Sequence, residues 1–360
     1  MSGNAKRLGI ALAGIGTAAL VAVAGLPAQA EQGQAGAHQG RAPAPTRFVE
    51  RDLVADQPGR AKLTDPTLVN PWGVALGPDT PVWVGDNGAD AATRYRDGAV
   101  KVPPNIAVEG GAPTGEVYND TGSFTVHGAP ARFILASEAG LITAWNPATG
   151  TRAVKVASGA DAVYKGLALV HASDGPRLLA ADFHNHRVDI FTGTFQRVSI
   201  PGAFTDPTLP PSYSPFDVAT IGGLVYVAYA QKQANGDDEV DGPGLGFVDV
   251  YTPLGQKVRR LVSQGALNAP WAMVRAPQSF GTYAGDILIG NFGDGRINAY
   301  TPSGVPKGPL TTASGQPLTI GGLWGLARGN AVAGGPGNLW FAAGTDDEAH
   351  GTLGLITPAP

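Results

Sequence analysis

The sequence predicts an all-β protein, a six-bladed β-propeller whose last blade is completed by an N-terminal strand. Three observations carry this. A short phrase recurs six times, as Pro71-Trp72-Gly73, Pro113-Thr114-Gly115, Tyr164-Lys165-Gly166, Pro215-Phe216-Asp217, Pro270-Trp271-Ala272 and Leu323-Trp324-Gly325. Its spacing is close to the length of one four-stranded propeller blade. The composition is turn-rich and weakly charged, with 52 Gly, 30 Pro and 15% charged residues in 360. Ordinary apolar content beside those figures fits a sheet protein with many turns and argues against a disordered chain.

The chain opens on a segment that is read apart from the fold. Lys6 and Arg7 precede an apolar run from Leu8 to Leu26, and Ala28-Gln29-Ala30 has the small residues of a cleavage site. Residues 1–30 therefore read as a secretory signal peptide, with an uncleaved membrane anchor as the other option. No Arg-Arg pair precedes the apolar run, which argues against a twin-arginine signal. The expectation is a secreted, extracellular protein with no membrane attachment after cleavage. Without the signal the chain has 23 basic and 29 acidic residues. That balance gives no electrostatic footprint for nucleic acid.

Cysteine is absent. A secreted chain without it depends on its core and topology for stability. The absence excludes cysteine nucleophiles, cysteine-zinc sites and iron–sulfur clusters. No phosphate-binding glycine loop and no Gly-x-Ser-x-Gly elbow occurs, so neither a nucleotide nor an organic cofactor is indicated.

Residues 31–46 are rich in Gln, Gly, Ala and Pro and read as a disordered linker, leaving 47–360 as one propeller domain. Phe48 to Val54 alternates as a strand does, yet has no blade of its own. In the first unit Gly73–Leu76, Val82–Val84 and Thr93–Arg96 are the expected strands. In the third they are Leu167–Val170, Leu178–Ala181 and Val188–Phe191; in the fifth, Ala272–Arg275, Ile287–Ile289 and Ile297–Tyr300. Asn87-Gly88, Asn146-Pro147, Asp294-Gly295 and Ser303-Gly304 supply turns between strands. The sixth unit runs out after a third strand near Gly354–Ile356. Phe48–Val54 is the natural donor of its missing outer strand, which leaves few free edges. Trp72, Trp271 and Trp324 share one repeat position, and the expectation is that they pack between neighbouring blades.

Several phrases also resemble a known family. Asn70-Pro71-Trp72-Gly73, Tyr164-Lys165-Gly166-Leu167-Ala168, the run from Gly290 to Asn298, and Asp347-Glu348-Ala349-His350-Gly351 are similar to secreted bacterial propellers of uncharacterised function. At the level of the repeat the chain resembles NHL-repeat and gluconolactonase-like propellers. That wider group holds metal-dependent lactonases, amidating lyases and pure binding modules. The resemblance therefore implies the fold without choosing an activity.

Chemistry is expected on the face carrying the loops between second and third strands. The ends of the second strands form a column of Asp86, Glu138, Asp182, Tyr229, Asn291 and Ala343. Oxygen ligands converging from such a ring suit Ca²⁺, whereas turn-capping is the structural alternative. The loop from Gln231 to Gly246 adds Asp237-x-Glu239-x-Asp241-Gly242, half of a calcium loop, with Val248 where a closing Glu would stand. His184 and His350 belong to units on opposite sides of a six-fold ring, with Asp182, Asp347 and Glu348 near them in sequence. Imidazole and carboxylate together suit a zinc or iron shell. Two function classes remain open. One is a monomeric binder of a small molecule, glycan or protein on the loop-rich face. The other is a metal-dependent hydrolase or lyase, lactonase-like, at the channel mouth, with His184, His350 and Glu348 as ligands or general base. A cell-surface scaffold without a small-molecule site is a third possibility.

Overall fold

A computed structural model describes residues 46–360. The signal segment, and all but the last residue of the linker, lie outside the described residues. Each repeated phrase lies at or near the start of the first strand of a unit and is itself part of that strand. The first unit runs Pro71–Ala75, Val82–Asp86 and Ala91–Arg96, with Val100–Lys101 and Ile106–Val108 at its outer edge. The second has Pro113–Tyr118, Phe133–Ser137, Leu141–Trp145 and Arg152–Ser158. The third has Tyr164–Ala172, Gly175–Asp182, Arg187–Thr192 and Arg197–Val198. Tyr213–Ile221, Leu224–Lys232, Phe247–Tyr251 and Lys257–Ser263 make the fourth. The fifth consists of Pro270–Arg275, Ile287–Asn291, Ile297–Tyr300 and Pro306–Pro309. The strands expected from sequence are all present, and most run longer than their apolar cores because hydrogen bonding continues into polar ends.

The last unit contains Leu323–Arg328, Leu339–Thr345 and His350–Pro358, and its outer strand is Arg47–Ala55 from the other end of the chain. The pairing is antiparallel, from Phe48 opposite Pro358 to Ala55 opposite Thr352, with a bulge between Asp52 and Val54. Phe48 anchors it: the ring is 1% exposed and lies 4.8 Å from Phe280 and 5.8 Å from Tyr283 of the fifth unit. Thr46 and Thr282 exchange hydrogen bonds of 3.1–3.2 Å between backbone N–H and side-chain hydroxyl. A second edge is closed where Ile106–Val108 pairs in parallel with Arg152–Ser158, joining the outer edges of units one and two.

The first strands neighbour one another in a closed sequence from unit one to unit six and back. The third residue of the repeated phrase explains how closely they approach. A methyl group on Gly73 would overlap the backbone of Thr114, one on Gly115 the backbone of Leu167, and one on Gly325 the carbonyl of Trp72. Glycine is therefore required by the next strand along the ring. Below the start of these strands, all six line a cavity of about 530 Å³.

The repeat tryptophans are buried, at 2%, 5% and 0% exposure for Trp72, Trp271 and Trp324. Neighbouring units meet through these rings as expected, six with one and five with six, and the cluster also spans the axis. Trp72 and Trp324 stack with ring centres 3.5 Å apart, and Trp271 meets both edge-on at 6.2 and 5.7 Å. Trp72 belongs to unit one and Trp271 to unit five, with unit six between them, so they meet only across the axis. Phe216 of unit four joins at 5.8 Å and Phe292 stacks on Trp324 at 4.1 Å. Because the first strands lie so near the axis, large side chains at their starts fold over it and plug one end of the channel.

Candidate functional site

The plug is the floor of a polar mouth. Lys165 holds the repeat position that tryptophan takes in three other units, and its side chain is 3% exposed. Its Nζ lies 5.1 Å from the centre of the Trp72 ring, a cation–π distance. The same ammonium donates to Glu138 Oε1 at 2.6 Å and lies 3.8 Å from Asp238. Burial pulls the Lys165 pKa down, but the charges of Glu138, Glu239 and Asp238 outweigh it and hold the amine above its ordinary value. The floor is pinned to the wall by Trp271 Nε1, which donates to the Lys165 carbonyl at 3.1 Å.

From Glu138 a chain of hydrogen bonds runs round the mouth. Asn87 Nδ2 donates to Glu138 Oε2 at 3.0 Å, and Asn70 Nδ2 reaches Asn87 Oδ1 at 3.4 Å and Glu348 Oε2 at 3.2 Å. Trp324 Nε1 donates to Asn70 Oδ1 at 3.2 Å. Units one, two, three and six are linked in this way, and the long loop of unit four supplies Asp238 and Glu239. Burial raises the Glu348 pKa, with repulsion from Glu138 and Asp238 adding to it, against Lys165 and the Asn70 hydrogen bond. Burial also pushes Glu239 up, to about 7, with Glu348 and Asp238 adding and Lys165 opposing.

Backbone strain is concentrated here. Asp346, Asp347 and Glu348 are consecutive residues at φ of 53°, 52° and 65°, and Asn70 has φ 45°. Non-glycine residues in the left-handed region are uncommon, and three in a row hold the Glu348 turn in a single, costly shape. Such strain clusters at functional sites.

The structure disperses the column expected to converge on a cation. Glu138 alone reaches the mouth. Asp86 is fully buried inside unit one with no hydrogen-bond partner for either oxygen, and burial raises its pKa well above the ordinary range. Asp182 accepts from Asn185 and pairs with Arg187 at 3.1 Å. Tyr229 bonds Tyr251, and Asn291 donates to Ala266 O at 2.8 Å and to Asp294. These groups find partners in their own unit because the ends of second strands lie away from the axis.

The histidines do not share a site either. His184 Nδ1 faces Asp237 Oδ1 at 2.7 Å, and Lys232 also pairs with Asp237, at 3.1 Å. His350 Nδ1 faces Asp56 Oδ2 at 2.7 Å, just beyond the closing strand. Neither has Asp182 or Glu348 as its partner, contrary to expectation. The acidic loop sends Asp237 to His184, while Asp238 and Glu239 act at Lys165, and Asp241 is exposed. Among the described residues, no three His, Cys, Asp or Glu side chains gather into a metal-binding group.

Lys165, Asn70 and Asn87 are members of the mouth that sequence reasoning missed. A signal existed for the first: in the series Trp72, Thr114, Lys165, Phe216, Trp271, Trp324, a charge interrupts a column of mostly aromatic residues.

No family model matches the chain. It is 33% identical to the uncharacterized protein R648 of Acanthamoeba polyphaga mimivirus over 324 residues, 84% of this chain and 78% of that one. It is 31% identical to L690 of the same virus over 323 residues, 84% of each. These relatives are viral, whereas the sequence resemblance pointed to bacterial proteins. Among solved structures it is similar to the virginiamycin B lyase of Staphylococcus aureus, with TM-score 0.53 and 10% identity over 87% of this chain and 100% of that one. At that identity the likeness is one of fold.

Proposed function

The chain belongs to the family of the mimiviral proteins R648 and L690, and we propose that it binds a small molecule at the tryptophan-floored mouth of its propeller. The observation that carries this is the polar network from Lys165 through Glu138, Asn87 and Asn70 to Glu348. It draws side chains from four units over a closed aromatic floor. Groups with perturbed pKa values converging from several units in one place mark functional sites more often than isolated surface ion pairs do. Residues 1–30 act as a secretory signal, so the ligand is met outside the cell; N-terminal sequencing of exported protein would find a start after Ala30.

The floor provides the test. Trp72 and Trp324 are stacked beneath the mouth, so a ligand seated there alters tryptophan fluorescence. Screening metabolites by that signal should yield binders whose effect is lost in Asn70→Ala and Glu348→Gln. Binders that leave fluorescence unchanged and compete with nothing at the mouth would overturn the assignment.

A second reading is favoured by Glu239. A carboxyl poised near neutrality beside a second raised carboxyl is suited to general acid–base work, as a hydrolase or lyase requires. Turnover abolished by Glu239→Gln with binding retained would support this reading over simple binding.

A further inference from the structure

We propose that the ligand of this mouth is an organic ammonium, an inference that rests on the binding reading above. The site already holds one such group. The Lys165 ammonium sits over Trp72 at 5.1 Å and against Glu138 at 2.6 Å, which is how an aromatic floor and a carboxylate wall select an alkylammonium. Lys165 satisfies only part of the surrounding charge. Among the described residues its ion pairs run to Glu138 and Asp238, while Glu348 is held by the neutral amide of Asn70 and Glu239 has no ion pair. Four carboxylates therefore face one lysine, and burial, with their mutual repulsion adding to it, raises two of them. A second cation would relieve that repulsion.

The floor has an unmet group as well. Trp72 is 2% exposed and its Nε1 has no acceptor, whereas the indole N–H groups of Trp271 and Trp324 are both bonded. A buried donor left open costs free energy unless something fills it. An ammonium compound meets the charge deficit of the wall, while the Trp72 N–H stays sealed within the floor. The wall is too widely spread to close on a bare ion, since no three of its acids gather at metal-binding distance among the described residues. A larger organic cation spans it.

Binding should strengthen as Glu239 ionises. Its charged neighbours are Lys165 from unit three, Glu348 from unit six and Asp238 from its own loop. With the Glu239 pKa near 7, its charge grows between about pH 6 and about pH 8, where an alkylammonium stays protonated.

The experiment uses the full chain, calorimetry and tryptophan fluorescence, with matched probes. Ethanolamine is compared with ethylene glycol, glucosamine with glucose, and Ca²⁺ is titrated alone. The expected result is that an ammonium member binds and its neutral partner does not. Glu239→Gln and Glu348→Gln should each loosen the ammonium probe by about tenfold or more, with unchanged melting temperatures showing that the variants fold. Ethanolamine affinity should rise with pH in the wild type and stay flat in Glu239→Gln. Equal affinity for neutral and ammonium members, with the fluorescence change kept, would overturn the ammonium inference and leave the mouth as a binding site. A response to Ca²⁺ alone would replace the inference by a metal site. Silence from every compound of either charge would remove the inference and the binding reading together.

Discussion

Lys165 and Trp72 lie in units separated by a whole unit of the ring, and yet the ammonium of one stands 5.1 Å over the indole of the other. Such a contact exists only at the axis. It makes Lys165 both part of the plug and part of the polar mouth. Removing the ammonium while Glu138 stays should be costly, since a largely buried pair loses one partner. Lys165→Met should lower stability by about 3 kcal/mol. The double variant Lys165→Met, Glu138→Gln should recover part of that. A denaturant double-mutant cycle measures the coupling, and strict additivity would show that the pair contributes nothing of its own.

The plug should be a main store of stability. Trp324 touches Trp72, Trp271, Phe216 and Phe292 and is fully buried. Trp324→Ala should cost about 3–5 kcal/mol through the cavity it leaves. Trp145, a half-buried residue near the rim of unit two, serves as a control whose loss should cost clearly less. Chemical denaturation of both variants gives the comparison.

Closure of the last unit should dominate over anything further upstream. Deleting residues 47–55 removes the strand paired to His350–Pro358 and the Phe48 anchor. Its melting temperature should fall far below that of a chain lacking residues 31–45. Equal melting temperatures in the two truncations would mean that the closing strand is dispensable.

The same strand should make stability depend on pH. Burial raises Glu50 to about 7, with repulsion from Asp52 adding and Arg60 opposing; burial also raises Asp52. A carboxyl whose folded pKa lies above its unfolded value is protonated more readily in the folded state. Its cost is absent below the unfolded pKa and grows as pH rises toward the folded one. The melting temperature should therefore be higher near pH 5 than near pH 8, and Glu50→Gln should flatten that slope. A slope of the opposite sign through this window would contradict the assignment.

Much of the fold can be read directly from the repeat, because its causes are local and recur. The glycine that ends four of the phrases is demanded by the following strand, so it reappears wherever that approach does. The unpaired alternation of Phe48–Val54 likewise identifies the partner of Gly354–Ile356. The site resists such reading. The sequence around Asp237 suits a cation and a histidine equally, and only the lean of the unit-four loop toward unit three gives it to His184. The tryptophans share a readable position, but their destination depends on how near the axis the first strands come. Asn70 and Asn87 look like ordinary turn residues until the left-handed turn at Asp346–Glu348 brings Glu348 against Asn70.

The pairing of Arg47–Ala55 with His350–Pro358 also sets an order of events in the life of the chain. Arg47–Ala55 must wait, with its partner edge missing, until His350–Pro358 has been synthesised. Every earlier unit can form its own hairpins during that interval, because their strands are near neighbours in sequence. The ring cannot lock until His350–Pro358 arrives, so its closure is the pairing of greatest sequence separation and the slowest to form. A truncated product of interrupted synthesis would consequently carry an open seam with two bare strand edges. The seam thus reports whether synthesis has passed Pro358, since only then can it be hidden.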